Sequence, residues 1–267
     1  MDYISESGYS SDEDNYFKEE IAKFKRSFKV LGLLKRSAHA EIYLGRYRKT
    51  EQHVIMKIIP KKGKTKWCNE AKSHQLATTV DKQGTTHLLG VYERLRDIIL
   101  VIEKPPNSLD ILDAVNHYGS FNLPMVKQVV AQIGRSVMAY KKAGLVHGDI
   151  KDENVMLDPF TLATKIIDFG NARSYGNGTV TSNFGTPAFF PPELVDKTES
   201  SNDAATVYSI GCMAYIMLTG TCPFEEDSPF DFEKFILLNN DLQLAEIKFL
   251  QRLLHPNPSC RVALNSL

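Results

Sequence analysis

Hydrophobic positions follow two regimes along the chain. From residue 28, short β-rich runs succeed one another, FKVLGLL, AEIYLGRY and HVIMKIIP, with turn residues between them, and predict a strand meander. KWCNEAKSHQLA at 66–77 predicts a short helix, and HLLGVYERLRDIILVIEK adds two strands. Beyond KPPN at 104–107 the spacing turns helical. In LPMVKQVVAQIGRSVMAYKKAG, Val126, Val129, Val130, Ile133, Val137 and Tyr140 recur at three- and four-residue steps. Asn122 is placed to cap that helix, Pro124 lies in its first turn and Gly144 ends it. IGCMAYIML at 210–218 is apolar throughout and reads as a buried helix, too short to span a bilayer. The remainder is mostly helical, apart from hairpin-like pieces around 154–167 and a long loop at 171–192. A β-rich part followed by a helical part predicts an α+β fold of two lobes, 28–103 and 108–267, with a cleft at the 103–107 junction. No internal repeat is visible.

Residues 1–22, MDYISESGYSSDEDNYFKEEIA, break this texture. Rich in Ser, Asp and Glu and poor in aliphatics, they cannot bury enough surface to offset their ordering entropy, and they read as a flexible acidic arm ahead of a domain at 23–267. Hydrophobic residues make up 43% and charged residues 24% of the 267, as in ordinary soluble globular proteins. Lys and Arg balance Asp and Glu, 32 against 32, so no global field argues for nucleic acid or an anionic membrane as partner. Cys68, Cys212, Cys222 and Cys260 are scattered, without a CxxC pair or metal-ligand spacing, which favours reduced thiols over disulfides or zinc. No apolar signal core opens the chain. The expectation is a soluble monomer inside the cell, in cytoplasm or nucleus.

Candidate chemistry concentrates in two short stretches, HGDIKDEN at 147–154 and DFG at 168–170. They supply two carboxylates, an ammonium and an amide in fixed order: Asp149, Lys151, Asn154 and Asp168. Phosphoryl transfer needs that inventory, with one carboxylate for the attacking hydroxyl, a cation near the transferred phosphate, and an amide with a second carboxylate for Mg²⁺. As mere turn formers the four have no reason to appear together in this register. The stretches resemble the H-R-D-L-x-x-x-N and D-F-G signatures of eukaryotic protein kinases, and the resemblance runs from about residue 28 to the end. It implies a bilobal kinase fold, ATP and Mg²⁺ as cofactors, and a protein Ser or Thr as acceptor. By that resemblance Asp149 is the catalytic base, Lys151 neutralises charge on the transferred phosphate, and Asn154 and Asp168 hold metal. Lys57, in VIMK, reaches the α- and β-phosphates. Glu70 is the only acid between Lys57 and Asp81, and so the candidate to hold that ammonium. GTPAFFPPEL at 185–194 resembles the close of an activation segment. Thr186 there matches the residue that contacts the catalytic Asp and Lys, and Glu193 the acid that pairs with a late arginine, here Arg261.

DIKDEN, PPEL, YSIGCMAYIMLTGTCPFEED and IEKPPNSLDILD at 102–113 resemble the PIM kinases, within the calmodulin-kinase-like group. The last of these is similar to the PIM hinge, in which a proline, here Pro105, offers no N–H to adenine. The resemblance makes Ile102 the gatekeeper and gives Glu103 a backbone carbonyl for the adenine amine. Ile42, Ile55 and Met156 complete the expected nucleotide contacts. Asp110, Asp113 and Glu153 stand where acids in those kinases select Arg or Lys upstream of the phosphorylated residue, so basic protein substrates are expected. Glu225, Glu226 and Asp227 add charge in the loop after the buried helix.

Several positions depart from the pattern. Lys35, Ser37 and Ala40 occupy all three positions of the glycine-rich loop, where glycine lets the backbone approach phosphate. Ile55 replaces the usual alanine above adenine and crowds it. Gly148 replaces the arginine of H-R-D, the usual receptor for a phosphorylated activation loop, so phosphorylation at Thr179, Thr181 or Ser182 is not expected to act as a switch. Thr206 replaces a common aspartate of the buried helix, which PIM kinases also lack. The degraded loop keeps a second hypothesis open, a pseudokinase that binds partners without chemistry. A small-molecule phosphotransferase is disfavoured by GTPAFFPPE, which shapes a protein-substrate groove.

Overall fold

The computed structural model describes residues 11–61, 68–181, 185–196, 199–221 and 242–267, with side chains from Asn15 onward. Ser182, Cys222 and the acids Glu225, Glu226 and Asp227 lie outside the described residues. The fold is α+β, a β-rich N-terminal region followed by a helical one. The chain divides into two compact units, one of residues up to Ala71 with His87–Lys104, the other of Lys72–Thr86 with Pro105–Leu267.

The first unit opens with α1 (Ser11–Ser27), where the sequence pattern predicted a flexible arm as far as residue 22. Acidic composition hid an amphipathic stripe. Phe17, Ile21, Phe24 and Phe28 recur at three- and four-residue steps, and Phe24 and Phe28 are buried against Tyr92 and Tyr47. Lys61 lies 4.6 Å over the Phe17 ring and pairs with Glu93 at 2.6 Å. Lys25 and Arg26 in the last turn complement the helix dipole. A five-stranded antiparallel sheet follows in the order β1-β2-β3-β5-β4: β1 (Phe28–Arg36), β2 (Glu41–Tyr47), β3 (His53–Pro60), β4 (Leu88–Glu93) and β5 (Asp97–Glu103). Val54, Met56, Ile99 and Val101 bury one face under Phe24 and Phe28, while Ile98, Leu100 and Ile102 pack on the other with Ala71. Helix α2 (Asn69–Val80), between β3 and β4, is the short helix the sequence predicts.

Only the start of α2 groups with the sheet, whereas the sequence assigned all of 28–103 to it. Residues 72–86 belong with the helical unit because Thr85 bridges Ile166, the Thr86 N–H donates to Ile166 O and the Ile166 N–H to Gly84 O. That unit contains β6 (Leu109–Asp110), α3 (Ile111–Tyr118), α4 (Leu123–Lys142), β7 (Leu145–Val146), β8 (Val155–Leu157), β9 (Thr164–Ile166), β10 (Arg173–Ser174), β11 (Thr179–Val180), α5 (Pro192–Val195), β12 (Ser200–Ser201), α6 (Asn202–Thr219) and α7 (Leu244–Leu254). Asn122 caps α4 by accepting from the Met125 N–H, and Gly144 follows its end at φ +75°. Its face of Val126, Val129, Val130, Ile133, Val137 and Tyr140 is buried against α6, as the periodicity requires. The 171–192 loop is less bare than predicted: β10 pairs with β7 and β11 with β12. No helix among the described residues is long and apolar enough to cross a membrane.

Candidate active site

In the helical unit, the turn after β7 carries Asp149 and Lys151, and a 3₁₀ turn at Asp152–Asn154 brings Asn154 back beneath them. The Asp149 carboxylate is held from three segments. Thr186 Oγ1 donates to Oδ1 at 2.7 Å, while Asn154 Nδ2 and Asn171 Nδ2 each donate to Oδ2 at 3.2 Å. Asn154 Nδ2 also donates to the Asp149 carbonyl at 2.9 Å. Thr186 thus meets Asp149 as the sequence pattern expects. Asn171 was not singled out there, and its only signal is that it follows DFG directly. Gly185 makes this approach feasible at φ +99°, since a Cβ there would stand 2.7 Å from Gly148 O.

Lys151 pairs with Glu153 at 2.7 Å. Burial pushes the Lys151 ammonium down, but the carboxylates of Glu153 and Asp149 outweigh this and hold it above its ordinary value. Asp168 sits in the left-handed region at φ +61° and accepts from the Gly170 N–H at 3.0 Å. Phe169 beside it is fully buried, ringed by His74, His147 and Tyr140. Among the described residues no group of three or more His, Cys, Asp or Glu is arranged for a metal. Asn154 uses its amide nitrogen on Asp149, so its Oδ1 is the atom that would accept a cation. An amide oxygen and one carboxylate fit Mg²⁺, which takes few protein ligands and completes its shell with phosphate and water oxygens.

In the sheet unit, Lys57 Nζ lies 2.7 Å from Glu70 Oε1, with side chains 12% and 11% exposed, so the predicted pair forms in a largely desolvated setting. Strand register places Ile42 and Leu100 opposite Lys57, and Leu44 and Ile102 opposite Ile55. Directly paired residues share a face, so Ile42, Ile55, Lys57 and Ile102 line one side of the sheet. The Glu103 carboxylate accepts from the His87 N–H at 2.9 Å, and its backbone N–H donates to His87 O.

The turn between β1 and β2 is a closed hairpin. The Ser37 N–H and Oγ both donate to Ala40 O, and the N–H groups of His39 and Ala40 donate to Ser37 Oγ. Arg36 and Glu41 pair across its base at 2.8 Å.

Two of the three expected substrate-selecting acids have other partners. Asp110 caps α3, accepting from the Asp113 N–H at 2.8 Å, and stands opposite Met156 in the β6–β8 pair. Asp113 is exposed, and Glu153 is the partner of Lys151. Gly148 takes φ +80°, and a Cβ there would run into the Arg173 guanidinium and stand 2.6 Å from Asn171 O. Arg173 in turn donates to Asn202 Oδ1 at 3.0 Å. Glu193 and Arg261 form a two-pronged pair, both bonds at 2.7 Å, with the arginine side chain 1% exposed.

Residues 28–267 match the protein kinase domain family. The chain is 32% identical over 133 residues to serine/threonine-protein kinase pim-2 of Danio rerio, covering 50% of this chain and 43% of that protein. It is 26% identical over 213 residues to serine/threonine-protein kinase prk-2 of Caenorhabditis elegans, covering 78% and 48%. Against serine/threonine-protein kinase D3 of Mus musculus it is 32% identical over 228 residues, covering 81% and 23%. The chain therefore spans less than half the length of each of these relatives. A family match across nearly the whole chain, with relatives of this kind, places it in the eukaryotic protein kinase family, of the Ser/Thr type and with a resemblance to the PIM kinases.

Proposed function

We propose that this chain transfers the γ-phosphoryl group of ATP, with Mg²⁺, to Ser or Thr in basic protein segments. The observation that carries this reading is the Asp149 carboxylate held by Thr186, Asn154 and Asn171. Three separate segments converge to fix one carboxylate, and phosphoryl transfer depends mostly on such positioning and on electrostatics. In this reading Asp149 orients the acceptor hydroxyl and receives its proton. Lys151 lies within the same loop, charged and largely buried, to offset charge on the transferred group. Glu70 directs Lys57 toward the α- and β-phosphates, and Ile42, Ile55, Ile102 and Met156 provide apolar walls for adenine. Asn154 and Asp168 hold Mg²⁺, which when bound neutralises charge on the phosphates. Asp110, Asp113 and Glu153 supply the negative charge that favours basic substrates, although Asp110 and Glu153 also serve the cap and the Lys151 pair.

The experiment is incorporation of labelled phosphate into a basic peptide library, with Asp168→Asn as control. Incorporation by the wild type alone is expected. A second reading, a binding protein without catalysis, is favoured by the Ser37 hairpin, in which the tip N–H groups of His39 and Ala40 already have an acceptor. Absence of both incorporation and a nucleotide-dependent thermal shift would decide for that reading.

A further inference from the structure

Gly148, directly ahead of Asp149, brings no side chain to hold the turn it belongs to. Its φ of +80° lies in the left-handed region, where glycine moves more freely than any other residue. A turn that loose would let Asp149 drift unless something packs on it. The packing comes from the segment after DFG. A Cβ on Gly148 would run into Arg173 Nη1 and stand 2.6 Å from Asn171 O, so β10 and the residues before it fill that space.

Arg173 is fixed at both ends. Its backbone pairs with Val146 in the β7–β10 ladder, two residues before Gly148. Its Nη2 donates at 3.0 Å to Oδ1 of Asn202, the first residue of α6. Asn202 is itself 3% exposed and held three ways. Its Nδ2 donates to Tyr175 O at 3.2 Å, its N–H donates to Gly178 O at 2.8 Å, and its carbonyl accepts from Thr206 Oγ1 at 2.7 Å. The guanidinium is thus a strut between the Gly148 turn and the start of α6. Burial lowers the Arg173 pKa from the ordinary arginine value, so its position carries a desolvation cost that an apolar filler would avoid. What a filler lacks is the planar fork, with one nitrogen against Gly148 and the other on Asn202.

We propose that Arg173 is a positioning residue for Asp149: its guanidinium takes the place of the side chain absent at 148 and braces that turn against Asn202. The inference rests on the phosphotransfer reading, in which Asp149 orients the acceptor hydroxyl. Two variants of the full chain test it. Arg173→Met keeps the stem and loses the donors, and Arg173→Lys keeps the charge and loses the fork. Each is measured by kcat and KM with a basic peptide, by thermal unfolding, and by amide hydrogen exchange across 147–150 without nucleotide. For Arg173→Met, kcat is expected to fall at least about tenfold with KM for ATP unchanged, since misplacing a reacting group by about 1 Å can cost about a hundredfold. Arg173→Lys should lose nearly as much, because one ammonium cannot face Gly148 and Asn202 together. Both should speed exchange at Asp149 and Ile150. A side chain that only filled space would lower thermal stability and leave kcat of the folded protein at the wild-type value. That result, or a loss confined to KM, overturns the proposal. If the wild type transfers no phosphate, the phosphotransfer reading fails, and the exchange arm alone decides whether Arg173 braces the turn. Should neither variant fold, guanidinium nitrogen NMR of the wild type serves: separate Nη signals for a held Arg173 support the strut, and one averaged signal refutes it.

Discussion

Lys57 and Arg261 are both cations in buried ion pairs, but they differ in what their removal should do. Lys57 faces Glu70 with little solvent around either, yet its proposed partner is a phosphate. Lys57→Met is expected to lower phosphotransfer by about two orders of magnitude or more while the chain stays folded, because preorganised charge is lost where the transition state needs it. Rate assays paired with circular dichroism test this. Arg261 is architectural: besides Glu193 it donates to the carbonyls of His255, Ala204 and Pro256. Arg261→Ala leaves a buried carboxylate and should cost about 3–5 kcal/mol by urea unfolding. Burial pushes the Glu193 carboxyl up, but the bonds from Arg261 and Ser200 and the guanidinium charge outweigh it and hold it below its ordinary value. A carboxyl depressed in the folded state stabilises it above the unfolded pKa and loses that contribution as pH falls through the folded one. The gap in stability between wild type and Glu193→Gln should therefore be full at neutral pH and shrink once pH drops below about 4.5, the unperturbed value.

Two elements are shaped by residues that break the family pattern. At the β1–β2 hairpin, the serine in a glycine position takes the tip N–H groups that would otherwise meet phosphate. Freeing them should strengthen nucleotide binding by about the worth of one hydrogen bond, near 1 kcal/mol or fivefold in Kd. Calorimetry on Ser37→Gly checks this, and weaker binding would show that the hairpin was already suited to phosphate. In the segment after DFG, Gly148 leaves room for the Arg173 guanidinium, which donates through Nη2 to Asn202. Tyr175 donates to Asp203, which also pairs with Lys141 at 2.5 Å. With the β7–β10 and β11–β12 pairs, these contacts tie 171–181 to α4 and α6 without any phosphate. Phosphatase treatment and Thr181→Ala are expected to leave activity within about twofold, since no charge-assisted contact would be lost. Silencing by either would refute this.

Substrate choice belongs to the whole molecule, because no single acid can select a basic peptide. A charge reversal at Asp110 would confuse two effects, since its side chain caps α3. Asn caps as well as Asp and carries no charge, so Asp110→Asn combined with Glu153→Gln isolates the electrostatic part. The double variant should lose preference for Arg upstream of the acceptor while ATP affinity holds, as scored on peptide arrays. Acidic or proline-directed selection by the wild type would remove the basis for this expectation. The α1 helix also acts at this scale, adding Phe24 to a sheet face from ahead of residue 28, where the family match begins.

Periodicity and motif order were enough for the strand meander and the α4 face with its Asn122 cap, and they nominated Asp149, Lys151, Asn154, Asp168, Lys57 and Glu70 for the proposed roles. These rest on local spacing, and local spacing is written in the chain. Composition misled at α1, because the acidic residues in its sequence outnumber the aromatic stripe that folds it. Three things had to wait for tertiary structure. Asn171 reaches Asp149 only once the segment after DFG turns back, residues 72–86 join the helical unit only through their pairing with Ile166, and Arg173 meets Gly148 and Asn202 only when three distant segments are packed together. Contacts across such separations depend on loop closure and packing, for which a one-dimensional pattern carries no signal.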